Sequence, residues 1–185
     1  IYQLFTYKNR HPLWNKVHLW FSLNLVGNWA WLFCTSQDWL WASVVVILVL
    51  LYTLIKINAL LSQIRADGGK VNFRLEQLLF SLYFAWITLA TALNFSSALH
   101  FYEWGGLGLS NAVWTVLISV IAAAIAGTVS WYYRDKAYAA VVVWAFTALA
   151  MKHTDNGLFY LAVGIVVLFA SLIIWMFWKR KPMAV

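Results

Sequence analysis

The sequence predicts an all-α integral membrane protein, a bundle of six transmembrane helices, and three observations predict it. Six apolar runs, at residues 14–34, 39–61, 75–101, 109–133, 137–151 and 157–178, fill the chain. Most of them reach the ~20 residues that a helix needs to cross a bilayer core. The runs lack the two-residue alternation of a barrel strand, and in lipid only a helix or a closed barrel satisfies its own backbone. Threading the runs up and down puts Lys8, Arg10, Lys16, Lys56, Arg65, Lys70, Arg74, Arg134, Lys136, Lys179, Arg180 and Lys181 on one side and only Lys152 on the other. Basic residues are retained on the cytoplasmic side, so the 62–74 and 134–136 loops and the C-terminal tail are expected there.

Each element follows from its residues. Residues 1–5 are largely apolar and 6–12 form a basic, Pro-stopped turn, which reads as the cytoplasmic exit of an earlier helix, with at least one helix upstream. In the first run Asn24, Asn28 and Trp31 are spaced by four and three and stack on one side of a helix. Residues 62–74, with Asp67, Gly68 and Gly69 as a turn, are the longest polar stretch and are too short to bury a core of their own. The third run carries a longer stripe, Tyr83, Trp86, Ala90, Asn94 and Ser97, which Glu76 continues toward the cytoplasm. In the fourth, Ser119, Ala123 and Gly127 form a small-residue seam suited to helix contact. The tight turns near Asp135 and Thr154 make the last helices antiparallel neighbours. Trp14, Trp39, Trp104, Trp131, Trp175 and Trp178 lie near helix ends, where the aromatic belt of a membrane protein places them.

Composition and motifs exclude several functions. With 64% hydrophobic and 10% charged residues, the chain lies far from the ~25% charged of soluble proteins. The formal charge of +7 is accounted for by topology and attraction to anionic lipid, not by nucleic acid. The single Cys34 forms no internal disulfide and has no His and Asp company of the kind a nucleophile needs. No hydrolase or nucleotide motif occurs. Glu76 and Glu103 sit at opposite ends of one helix, too far apart to act as acid and base. His100 and His153 share the outer rim as a candidate metal or haem-ligand pair, with only Glu103 or Asp155 in reach as a third ligand. No carboxylate stands near the bilayer middle, as a proton-coupled transporter would require.

The two polar stripes are expected to face each other, with Asn28 meeting Asn94, and two readings of them stand. The asparagines are interhelical glue, contributing ~1 kcal/mol each. Alternatively, Trp31 and Trp86 beside the small Ala90 wall a flat apolar slot with a few fixed donors, as ligand pockets are built. The segment Asn28-Trp29-Ala30-Trp31, followed by Trp39-Leu40-Trp41-Ala42, resembles the third helix and the start of the fourth in the TspO family, the tryptophan-rich sensory or translocator proteins. Tyr83-Phe84-Ala85-Trp86 running into Ala92-Leu93-Asn94-Phe95 is similar to that family's fifth-helix signature. The resemblance covers residues 14–101, and Ile1-Tyr2 would then close the family's second helix. It implies three parts: 1–13 as the end of an upstream helix and a loop, 14–101 as TspO-like helices, and 102–185 as three additional helices with a basic tail, like those of longer relatives.

The resemblance further implies a tetrapyrrole ligand, haem or protoporphyrin, or another flat apolar molecule such as a sterol. It implies that Trp41, Tyr83, Trp86, Ala90 and Asn94 line its pocket, with Asn28 and Trp31 from the facing helix. Leu82 stands where many members have Pro, and Asn24 where they have Gln. Three classes of function remain: a binding protein, receptor or carrier for such a ligand; a structural subunit of a membrane complex, or a homodimer, docking through the added helices; and an enzyme acting on a bound porphyrin.

Overall fold

A computed structural model describes residues 11–72, 76–154 and 157–178. Among them there is no strand, and six α-helices stand where the apolar runs predict them: α1 (Trp14–Ser36), α2 (Leu40–Ala66), α3 (Leu78–Phe101), α4 (Asn111–Tyr133), α5 (Lys136–Lys152) and α6 (Gly157–Trp178). The expected exit of an upstream helix at residues 1–10, Arg74, Asp155 and the basic tail at 179–181 lie outside the described residues.

Four helices are long and apolar enough to cross a bilayer: Leu40–Ala66, Leu78–Phe101, Ala112–Tyr133 and Gly157–Trp178. The fifth, α5, has 17 residues, about 25 Å of helix against a core of about 30 Å. The other, α1, has the length, with 23 residues, but Lys16, His18, Asn24 and Asn28 dilute its apolar character. By composition and length alone, four of the six expected crossings are met.

The chain divides into two compact units, one ending at Phe80 and the other beginning at Ser81. In the first, α1 and α2 form an antiparallel hairpin closed at Gln37–Trp39, where Asp38 takes a left-handed backbone (φ 56°). Contacts descend the hairpin in register. The Trp20 ring meets Tyr52 edge-on at 5.7 Å, and His11 Nε2 reaches Asp67 Oδ2 at 3.4 Å at the far end. Between these helices Gly27 is required by space, because a Cβ there would stand 2.7 Å from Leu50 Cδ2. Leu50, Leu54, Ile57, Leu61 and Ile64, three or four residues apart, turn one face of α2 inward. Trp14 belongs to this core, only 2% exposed, and its ring lies beside His18. This corrects its assignment as a belt anchor: the indole is packed inside the protein.

In the second unit α5 and α6 pack along their lengths, burying Ala139, Val142, Phe146 and Ala150 on one and Ala162, Ile165 and Phe169 on the other. The α4 seam serves this packing. A Cβ on Gly127 would lie 3.7 Å from Phe169 Cζ, and Ala123 and Ala126 are buried. The turn from α4 to α5 has Arg134 in the left-handed region (φ 47°) as the C-cap of α4. Asp135 follows as the N-cap of α5, its carboxylate accepting from the amides of Ala137 and Tyr138 at 3.0 and 3.1 Å. That carboxylate also accepts the hydroxyl of Ser81, which ties the start of α3 to α5. At this end Trp131 stacks on Trp175 with centroids 4.5 Å apart, and the Arg134 guanidinium lies over Trp175. Trp39, Trp104, Trp131 and Trp178 are exposed, as belt residues are.

Candidate functional site

The residues expected to line a pocket divide between the two units: Asn28, Trp31 and Trp41 stand in the first, Tyr83, Trp86, Ala90 and Asn94 in the second.

In the first unit the polar stripe of α1 is a hydrogen-bonded ladder. Asn24 is fully buried, and its amide donates to Thr53 Oγ1 at 2.7 Å and to the Leu50 carbonyl at 3.3 Å on α2. Asn28, one turn on and half-buried, donates back to the backbone and side-chain oxygens of Asn24, each at 3.1 Å. Asn24 thus bonds α1 to α2, whereas the stripe pattern set Asn28 of α1 against Asn94 of α3. An amide in a dry interior must find partners, and here the neighbouring helix supplies them. Trp31 continues the stripe half-buried, and Trp41, near the start of α2, is 43% exposed.

In the second unit the stripe of α3 is partly open. Asn94 is buried, while Tyr83 and Ala90 are half-buried. Trp86 is 50% exposed and meets Trp144 of α5, itself 62% exposed. The ring centroids are 6.0 Å apart with 44° between the planes, so the two indoles form an open wedge with apolar faces. The spacing of the helices that carry them is set nearby. Tyr138 of α5 is buried against Phe84 with centroids 5.2 Å apart, and its hydroxyl donates to Thr88 Oγ1 at 2.8 Å. With Ser81 bonded to Asp135, this gives α3 and the α5 end of the chain two hydrogen bonds and an aromatic contact, on residues of α3 that bracket Trp86.

Sequence reasoning singled out Trp86 and did not place Trp144 beside it. The available signal was the dipeptide Trp144-Ala145, which repeats Trp29-Ala30 and Trp41-Ala42, but only the packing of α5 on α3 shows which tryptophan it meets. His100 and Glu103 are exposed at the other end of α3. Among the described residues no group of three His, Cys, Asp or Glu side chains is placed to hold a metal ion.

Comparison with known families brings out one whose description is TSPO-like protein, matched over residues 1–178. No curated protein and no solved structure matches the chain. The matched range extends beyond residues 14–101 and takes in α4, α5 and α6. The chain is an integral membrane protein, and it belongs to the TSPO-like family.

Proposed function

We propose that this protein is a membrane-embedded binding protein, a receptor or carrier for a flat apolar ligand, with a free-base tetrapyrrole such as protoporphyrin as the first compound to test. The observation that carries the reading is the exposed wedge of Trp86 and Trp144. Indole faces bind flat π-systems by stacking and by shedding apolar surface from water. A free-base macrocycle needs no axial ligand, and none of the histidines is among the residues of the wedge. Tyr83, Ala90 and Asn94 extend the same stripe of α3. Titrating the purified full chain with protoporphyrin is expected to quench its tryptophan fluorescence saturably. Non-saturating quenching, equal to that of free tryptophan in the same micelles, would overturn the binding reading. Light-dependent consumption of the bound porphyrin would move it to the enzyme class.

The same proposal includes six crossings with the C-terminus in the cytoplasm. The α1 helix pairs with α2, and α5 with α6, along lengths that themselves cross the membrane, so the two weaker helices are carried in with their partners. The placement of Lys70 and Arg134 at one end and Lys152 at the other then obeys the positive-inside rule. Cysteine accessibility scanning should label positions 70 and 104 from opposite sides, and labelling from one side would overturn this topology.

A further inference from the structure

The second unit holds a two-part cleft at the end of α3 away from the α4–α5 turn, and neither Trp86 nor Trp144 lines it. The inner part is an open groove of about 300 Å³ between α3, α4 and α5, lined by Leu89, Leu93, Ala122, Phe146, Leu149 and Lys152. The outer part, about 460 Å³, is lined by His100, Glu103, Trp104 and Trp114. The two share Ser96, Thr115 and Ile118 and so adjoin one another. From Leu89 to Ser96 the wall descends seven residues of helix, about 10 Å. The character of the lining changes along this length: mostly hydrocarbon around Leu89 and Phe146, then the hydroxyls of Ser96 and Thr115 with the Lys152 ammonium, then His100 and the Glu103 carboxylate with two indoles.

The outer part is a shaped site. Trp104 and Trp114 meet nearly edge to face with centroids 4.9 Å apart, and Trp114 Nε1 donates to the Gly106 carbonyl at 2.9 Å. Gly106 has φ +59°, and a Cβ on it would stand 3.0 Å from Trp114 Nε1, so glycine lets the backbone press on the ring and fix it. Glu103 and Leu107, on either side of Trp104, are held in the left-handed region with φ 48° and 50°. Strained backbone of this kind gathers at ligand clamps. An indole face with a carboxylate beside it is the chemistry that recognises a quaternary ammonium.

We propose that this cleft binds a single-chain zwitterionic amphiphile: the acyl chain in the inner groove, the phosphate beside Lys152, Ser96 and Thr115, and a quaternary ammonium against Trp104, Trp114 and Glu103. The inference goes beyond the flat-ligand reading and stands without it. Native mass spectrometry of the full chain, incubated with lysophosphatidylcholine or lysophosphatidylglycerol of equal chain length, is expected to show preferential retention of the choline lipid. Trp104→Ala and Glu103→Gln should each lower that preference by between about twofold and about thirtyfold, while Lys152→Gln lowers retention of both lipids. Leu93→Trp, which enlarges a side chain lining the inner part, should lower retention of both. Equal retention of the two lipids by the native chain, or a preference untouched by Glu103→Gln, would overturn the proposal even if Leu93→Trp failed to fold. Glu103→Gln is expected to leave protoporphyrin affinity unchanged, so this proposal and the flat-ligand reading fail separately.

Discussion

Replacing Trp86 by alanine is expected to weaken protoporphyrin binding at least several-fold. The change removes one face of the wedge that Trp86 forms with Trp144, and loss of an aromatic partner costs ~1 kcal/mol or more. Trp144→Ala should have a similar effect, because the two rings make one surface. The double variant should lose less than the sum, since either single change already destroys the wedge. Trp175→Ala is the comparison that gives the result meaning. It deletes an indole of the same size, but one stacked on Trp131 beneath Arg134, so it should lower thermal stability and leave the dissociation constant unchanged. Equal dissociation constants for Trp86→Ala and Trp175→Ala would remove the wedge from the binding site. The assembly-subunit reading would then replace it.

The physical basis of that experiment also separates what the sequence discloses from what it hides. Helix positions were legible because each apolar run is bounded by turn residues: Asp38 and Arg134 take left-handed backbone at helix ends, and Gly68, with φ 75°, stands just beyond the end of α2. The α4 seam was legible because small residues four apart serve only close packing, and Gly127 does meet Phe169. The partner of each polar group was not legible. Periodicity placed Asn24 and Asn28 on one face, yet what that face meets on α2 depends on the register of the hairpin, and that register brings Thr53 to Asn24. Trp144 was hidden for the same reason, since its meeting with Trp86 is set by how α5 lies on α3. Trp14 misled because helix-end position alone does not distinguish a belt anchor from a ring tucked under the next turn of the chain.

That dependence on how α5 lies against α3 singles out Asp135 as the residue whose loss should most disturb the second unit. Its carboxylate caps α5 through two amides and accepts the hydroxyl of Ser81, which is fully buried. Asp135→Ala removes the cap, about 1 kcal/mol, and a hydrogen bond to a charged acceptor, about 1.5–3 kcal/mol. Thermal unfolding of the purified chain should fall by on the order of 10 °C. Asp135→Asn keeps an equally good cap and an acceptor for Ser81, so it should recover most of that loss. Asp67→Ala provides the contrast. Its carboxylate pairs with His11 at 3.4 Å from a side chain 47% exposed, and surface pairs contribute about 0–1 kcal/mol. If Asp135→Ala unfolds no earlier than Asp67→Ala, the link between α3 and α5 does not bear on stability. The Trp86 and Trp144 wedge would then lack the support assigned to it. If instead Asp135→Ala lowers both stability and porphyrin affinity while Trp86→Ala lowers affinity far more than stability, the two residues divide as the geometry implies: one holds the helices in place, and the other meets the ligand.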